Sequence, residues 1–323
     1  MDEALSGVIA KLPLTPGVYR FRDAAGRVLY VGRATVLRRR VASYWSDLGD
    51  RRHLAPMVTQ VSGIEAVSCD SAHEAAWLER NLLTTSLPPW NRTAGGQEHP
   101  VYIRMNSSQD RPGLSVAHVL AARYPAVYFG PYLGGGQVRR AVKGLGRVLP
   151  LAYTGAGLRG TRLDIARARG FAGADRDRCA ATITAVLHRH PKAVSDVIAG
   201  LEELRDRAAG KLAFELAGEI DRECHALKWV TSPQRASSMD DADFTASGWS
   251  GGILTSFTAR RGRVCEWAQS RCPRADAATQ LVSTPPSWAD FVQRNAQLAA
   301  ALSGYGGGHI GEYPAGYRVG ELL

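Results

Sequence analysis

Two short tracts, Gly17-Val18-Tyr19 and Leu29-Tyr30-Val31-Gly32, place a pair of tyrosines and a pair of glycines in segments of strand-like composition. Asp23-Ala24-Ala25-Gly26 between them reads as a hairpin turn, so the tracts are expected to lie side by side. A basic amphipathic stretch, Arg33 to Trp45, follows at once. Phenols displayed on a hairpin and aimed at an arginine-bearing helix are suited to handling a phosphate. Read as one helix, the stretch carries Arg33, Arg40 and Tyr44 on one face and Leu37, Val41 and Leu48 on the opposite, core-facing stripe. Arg38 and Arg39 fall off the Arg40 side, where they are expected to bind flanking phosphates. Gly32 would let backbone approach a phosphate closely. Taken singly, each residue has a plainer reading: half-buried strand tyrosines, a turn glycine, a solubilising basic helix.

The elements that must hold these groups span residues 13–92. After the basic helix, Ile64-Glu65-Ala66-Val67-Ser68-Cys69 alternates as a strand does. Ser71-Ala72-His73-Glu74 reads as a capping box that opens a helix running through Leu78, Glu79, Leu82 and Leu83, and Pro88-Pro89 stops it. The expected fold is α/β (α+β), a small mixed sheet flanked by helices.

At this point the pattern becomes specific. Pro16-Gly17-Val18-Tyr19, Tyr30-Val31-Gly32 and Leu37-Arg38-Arg39-Arg40-Val41-Ala42-Ser43-Tyr44 resemble a GIY-YIG nuclease domain, above all that of the UvrC excinuclease subunit. The resemblance implies roles. Glu79 stands where the family has its single metal-binding glutamate. One carboxylate with waters and phosphate oxygens suffices for Mg²⁺ or Mn²⁺. Arg40 would stabilise charge on the scissile phosphate. Tyr30 matches the proposed general base, or the group that orients the nucleophilic water, although an unperturbed phenol is a poor base at neutral pH. Tyr19 would hydrogen-bond within the site, and Tyr44 belongs to the same set. Asn91, after Pro88-Pro89-Trp90, matches the family's terminal asparagine. Arg33 stands where UvrC-type enzymes usually have lysine, which keeps the charge but alters donor geometry.

Composition agrees with a polyanionic partner. The 323 residues carry a formal charge of +10 and a pI near 9.6. Residues 101–150 hold seven arginines and lysines against one acid, Asp110, so this segment is expected to track a phosphate backbone. Five scattered cysteines suit reduced thiols rather than a disulfide framework. The cysteine cluster usual in UvrC after the nuclease domain is missing, so no iron–sulfur cluster is expected. No apolar run approaches membrane-spanning length and the first residues lack signal-peptide features, so a soluble, cytoplasmic protein without membrane contact is expected.

Beyond the first domain, residues 93–195 read as a basic linker and helical region. It contains Tyr128-Phe129-Gly130-Pro131-Tyr132 and a helix with Val138, Val142, Leu145 and Leu149 on one face. Arg139, Arg140 and Lys143 of that helix are the expected DNA contacts. Residues 196–230 read as an antiparallel helical hairpin. Its words Leu212-Ala213-Phe214-Glu215-Leu216-Ala217 and Glu219-Ile220-Asp221-Arg222-Glu223 are similar to the UVR motif through which UvrC docks on UvrB. That resemblance implies contact through Phe214, Ala217 and Ile220. Residues 235–323, with expected strands at 243–247, 252–258 and 264–269 and a Gly304–Gly308 stretch, vaguely resemble the start of the RNase H-like domain of UvrC. They carry no convincing second nuclease constellation and read as degenerate.

Together these readings imply a metal-dependent, structure-specific endonuclease of nucleotide excision repair. It would cut damaged double-stranded DNA on the 3′ side of a lesion held by a UvrB-like protein, in a shortened UvrC-like form. Two alternatives stay open: a non-catalytic adaptor for UvrB and DNA, and a nuclease for branched DNA that works without UvrB.

Overall fold

A computed structural model of the chain describes residues 3–46, 48–95, 98–121, 126–168, 170 and 175–303; the Gly304–Gly308 stretch lies outside them. The chain divides into two compact units, Met1–Gln97 with Pro233–Leu323, and Glu98–Ser232. The region after Pro233, read separately in the sequence, thus shares a unit with the N-terminal domain.

The first unit opens with α1 (Glu3–Lys11), β1 (Gly17–Arg22), β2 (Val28–Ala34), α2 (Leu37–Ser46), α3 (Ala55–Val58), β3 (Gly63–Ser68) and α4 (Ala72–Thr85). Its sheet runs in the order β2-β1-β3 and is antiparallel throughout, so what is mixed is helix with strand rather than strand direction. The hairpin register carries the site. Tyr19 pairs with Gly32 and Phe21 with Tyr30, so the two tracts noted in the sequence face each other across one ladder. Tyr19, Phe21, Leu37, Val41 and Tyr44 then share a core with Leu12 of the α1 region.

Alternation sends Val18 and Arg20 to the opposite face of β1. There the buried Arg20 pairs with Glu65, which also holds Arg22 at 2.9 Å. Burial lowers the Arg20 guanidinium to about 10 even with Glu65 opposing the shift. For the Glu65 carboxyl burial alone would raise the pKa, but Arg20 and Arg22 outweigh it and hold the group below its usual range.

The capping box forms with a modification. Ser71 Oγ accepts from the Glu74 amide at 2.9 Å, whereas Glu74 accepts from Asp70 N at 2.7 Å and from Arg235 N at 2.9 Å. The box therefore caps α4 and ties the returning chain to it. That chain forms β7 (Phe244–Ser250), β8 (Ile253–Arg260) and β9 (Arg263–Arg271), a meander, then α10 (Arg274–Val282) and α11 (Ala289–Ser303), once the second unit is complete. Arg261 and Gly262 both have positive φ at the β8–β9 turn, the backbone a two-residue hairpin loop needs.

The second unit contains β4 (Val101–Asn106), β5 (Gly113–Ala117), β6 (Val127–Tyr132), α5 (Gly135–Val148), α6 (Thr161–Ala168), α7 (Asp175–Leu187), α8 (Pro191–Gly210) and α9 (Phe214–Val230). Strand β5, an edge strand with no fully buried residue, was not foreseen from the sequence. Its sheet, α5, α7 and the α8–α9 hairpin enclose one core around Ile103, Leu145, Ile183, Leu201 and Leu227.

Candidate active site

Tyr19 is wholly buried, and its hydroxyl lies 2.8 Å from that of Tyr44. Gly32 is what allows this. A Cβ there would stand 2.5 Å from the Tyr19 hydroxyl oxygen and 2.8 Å from Tyr30 Cε1. The glycine makes room for the two phenols, a more local duty than admitting a phosphate. Tyr30 and Tyr44 meet edge to face at 6.1 Å between centroids, and the Tyr30 hydroxyl bonds to Tyr44. The three tyrosines form one hydrogen-bonded group spread over β1, β2 and α2.

Two charged side chains act on this group. Arg40 donates to the Tyr19 hydroxyl; burial would lower its pKa, but the three tyrosines more than offset that and raise it. Glu79 of α4 is near enough to Tyr30 to matter electrostatically. Burial raises the Tyr30 phenol first, Tyr44 and Glu79 raise it further, and Arg40 opposes them. Tyr30 therefore stands between a carboxylate and a guanidinium and remains a neutral phenol at physiological pH.

An open cleft of about 370 Å³, lined by Arg33, Ala34, Thr35, Arg40 and Ala72, runs beside this group. Arg33 reaches across to Glu79, with Nε 3.2 Å from Oε2, and both side chains are partly open to solvent at 40% and 21%. Arg33 thus lies at the end of β2, not on a helix face with Arg40 and Tyr44 as the sequence spacing implied, because α2 begins only at Leu37. Its first turn is fixed by long-range bonds, Leu37 N to Thr15 O and Arg38 N to Pro13 O. Tyr44, in turn, sits with Leu37 and Val41 on the buried stripe. Arg38 spends its Nε on Leu12 O at 2.6 Å, whereas Arg39 is exposed.

Asn91 does not enter the cleft chemistry directly. Its Nδ2 donates to Val31 O at 2.8 Å and its Oδ1 accepts from Val31 N at 2.9 Å. With Trp90 N donating to Leu29 O, the 88–91 turn closes the open edge of β2 between Tyr30 and Gly32. Asn295 of α11 does the same at the other edge, accepting from Ser68 N at 2.8 Å and donating to Ser68 O at 3.2 Å. Sequence reasoning missed Asn295, and also Arg51, whose guanidinium lies 4.6 Å from the Tyr44 ring centroid. Asn295 carries no local signal, since it acts on Ser68 across a long separation in the chain, whereas Arg51 lies only seven residues beyond Tyr44, past the end of α2.

A divalent cation fits the donor set. Among the described residues no group of three or more His, Cys, Asp or Glu could cage a metal. A single carboxylate, Glu79, paired with the cleft-lining Arg33 leaves most of the coordination to water and phosphate oxygens, which suits Mg²⁺.

In the second unit Arg139 and Arg140 are exposed on α5. Lys143 is paired with Glu219 at 2.8 Å and Glu223 at 3.5 Å, so its charge is already neutralised. At the turn of the α8–α9 hairpin Leu212 and Phe214 are 74% and 67% exposed, and Leu216 is 41% exposed. Ala217 and Ile220 are buried in the hairpin itself, so of the three expected contacts only Phe214 is exposed, together with its neighbours Leu212 and Leu216. No helix among the described residues is long and apolar enough to cross a membrane.

Comparison with known proteins finds a family match over the same residues. Residues 15–92 match the model of the UvrC-like GIY-YIG domain. The chain is 32% identical to UvrABC system protein C of Moorella thermoacetica over 275 residues, 79% of this chain and 43% of that protein. It is 29% identical to the Mycobacterium marinum counterpart over 313 residues, 90% of this chain and 48% of that one. The aligned region therefore spans less than half the length of either relative. Among solved structures, the GIY-YIG N-terminal endonuclease domain of UvrC from Thermotoga maritima, bound to its catalytic magnesium, is 28% identical. It covers 28% of this chain and 100% of that chain, with a TM-score of 0.26. Residues 15–92 are thus a UvrC-like GIY-YIG domain, carried on a chain that is distantly related to UvrC over most of its length.

Proposed function

We propose that this chain is a metal-dependent, structure-specific DNA endonuclease of nucleotide excision repair, hydrolysing a phosphodiester on the 3′ side of a lesion presented by a UvrB-like protein. The observation that carries the reading is the electrostatic meeting of Tyr30, Arg40 and Glu79, from three different elements, where Arg40 and Arg33, the ion-pair partner of Glu79, line one open cleft. Nothing in the packing of a small sheet requires a carboxylate, a guanidinium and a phenol to meet there.

In this reading Arg40 neutralises a non-bridging oxygen of the scissile phosphate, held in place by its bond to the buried Tyr19. Tyr30, kept neutral by burial and by Glu79, orients the attacking water through its hydroxyl rather than removing its proton outright. Glu79 would hold a divalent cation, which supplies positive charge against the phosphate and so favours attack and departure. Arg33 would give up Glu79 to that cation and turn to the phosphate. Asn91 and Gly32 act through others, the first fixing β2 and the second admitting the Tyr19 ring. The exposed Arg39, Arg139 and Arg140 are contacts for flanking phosphates, which position a duplex without reading its sequence. Leu212, Phe214 and Leu216 form the docking surface for the UvrB-like partner.

Nicking of lesion-bearing duplex with and without UvrB, wild type against Glu79→Ala, tests the reading. Metal-dependent nicking that disappears in Glu79→Ala supports it. UvrB binding without nicking in the wild type would make the chain an adaptor. Phe214→Asp is expected to abolish UvrB-stimulated nicking; undiminished nicking in that variant would point to a nuclease independent of UvrB.

A further inference from the structure

The sheet of the second unit has a face that the nuclease reading leaves unused. Val101, Ile103, Met105 and Phe129 fill the core on one side. Strand alternation then sends Tyr102 and Arg104 to the other side, where both are partly exposed. The register places Tyr128 directly opposite Arg104 on β6 and Ser115 opposite it on β5, with Ala117 opposite Tyr102. An arginine is thereby bracketed by two tyrosines on a sheet face otherwise occupied by small residues. Gly130 helps keep that face low: a Cβ there would lie 3.3 Å from Tyr102 Cδ1 and 3.1 Å from Tyr132 Cδ2.

Among the described residues no carboxylate lies within ion-pair distance of Arg104, and Asp110 is the sole acid in residues 101–150. A half-buried arginine flanked in the sheet register by two tyrosines, with no carboxylate partner among the described residues, is poorly explained as packing. It suits an anionic ligand that also offers flat apolar faces.

We propose that the Tyr102–Arg104–Tyr128 face binds single-stranded nucleic acid, the tyrosines stacking on unpaired bases and Arg104 pairing with the backbone. Duplex DNA fits it poorly, because bases already stacked in a helix cannot offer their faces to the tyrosines. The assignment stands apart from the nuclease reading and does not depend on the cleft at Glu79.

Fluorescence anisotropy of the full chain in EDTA tests it, with labelled oligo(dT) of about 15 nucleotides and a duplex of equal length as probes. Tyr102→Leu is expected to weaken oligo(dT) binding about tenfold at an unchanged salt slope. Arg104→Gln is expected to weaken it and to flatten the slope of log affinity against log salt by about 0.7. Both variants should bind duplex within about twofold of wild type, whereas Arg139→Ala should weaken duplex binding instead. Circular dichroism melting identifies any variant that has merely unfolded. Oligo(dT) affinity unchanged in folded Tyr102→Leu and Arg104→Gln, or equal losses for duplex and single strand, would overturn the proposal. Glu79→Ala should leave oligo(dT) binding intact, so a failed nuclease and a failed platform give different results.

Discussion

Asn91→Ala removes two hydrogen bonds from one residue of β2, Val31, at the point where the strand passes from Tyr30 to Gly32. Each such bond contributes about 1 kcal/mol net, and the half-buried strand edge lets water replace part of what is lost, so the stability cost should be about 1–2 kcal/mol. The chemical cost should be larger. With Val31 released, the Tyr30 hydroxyl is no longer fixed relative to Arg40 and Glu79, and a misplacement of about 1 Å costs on the order of a hundredfold in rate. Single-turnover nicking should therefore fall about 30- to 100-fold in rate, with the half-saturating DNA concentration changed less than about twofold. Asn295→Ala is the matched control, because it strips the equivalent pair of bonds from Ser68 at the opposite edge. Asn295 is fully buried, so that variant should lose more stability than Asn91→Ala. It should nevertheless keep nearly the full nicking rate below its melting temperature. Urea titration gives the first quantity and rapid-quench nicking the second. Equal rate losses in the two variants would refute the positioning argument, as would a full rate in Asn91→Ala despite the loss of stability.

Other predictions follow from the same geometry. Gly32→Ala drives a methyl into the Tyr19 hydroxyl and should cost about 1–3 kcal/mol of overpacking together with most of the nicking rate, read by melting and by the same assay. Glu65→Gln strands the buried Arg20 and should cost about 3–5 kcal/mol near neutral pH. Because the Glu65 carboxyl is held below its usual range, that stabilisation is present above about pH 4.3 and is lost as pH falls further. The gap between wild type and Glu65→Gln should therefore narrow in denaturant titrations at progressively lower pH, and a constant gap would contradict the assignment. Arg33→Ala frees Glu79 from an exposed ion pair and should tighten Mn²⁺ binding about two- to fivefold by calorimetry; unchanged or weaker binding would mean that Arg33 does not compete for the carboxylate.

What the sequence disclosed, and what it withheld, separates along the distance over which each feature is encoded. That the Tyr19 and Gly32 tracts lie side by side is encoded within one hairpin and could be read from turn and strand composition alone, although their exact register was not. Glu79 could be placed mid-helix because the Ser71 cap and Pro88-Pro89 bracket α4 locally. The start of α2 could not, since its first amides are satisfied by the carbonyls of Pro13 and Thr15, and a heptad count from Arg33 assumed helix where the backbone is still strand. In the α8–α9 hairpin, Phe214 stands at the exposed turn, but Ala217 and Ile220 are buried. Periodicity identified a stripe at Ala217 and Ile220, but it cannot say that the stripe is spent on the hairpin's own core.

The two asparagines show why such features matter to a small nuclease. A three-stranded sheet has only one interior strand, so both of its outer edges carry backbone groups in search of partners. Here Asn91 and Asn295, from sequence-distant segments, supply a donor and an acceptor to each edge. An amide side chain can make that paired contact with one residue, whereas Asp lacks the donor and Leu lacks both. The arrangement fixes β2 without adding a fourth strand beside Tyr30, and so leaves the flank of the sheet near Arg33 and Arg40 open as a cleft. A sheet widened by another strand would hold the tyrosines as firmly but close the approach of a phosphate. The asparagine at Asn91 is therefore required by the geometry of an accessible site, not only by the stability of the strand it holds.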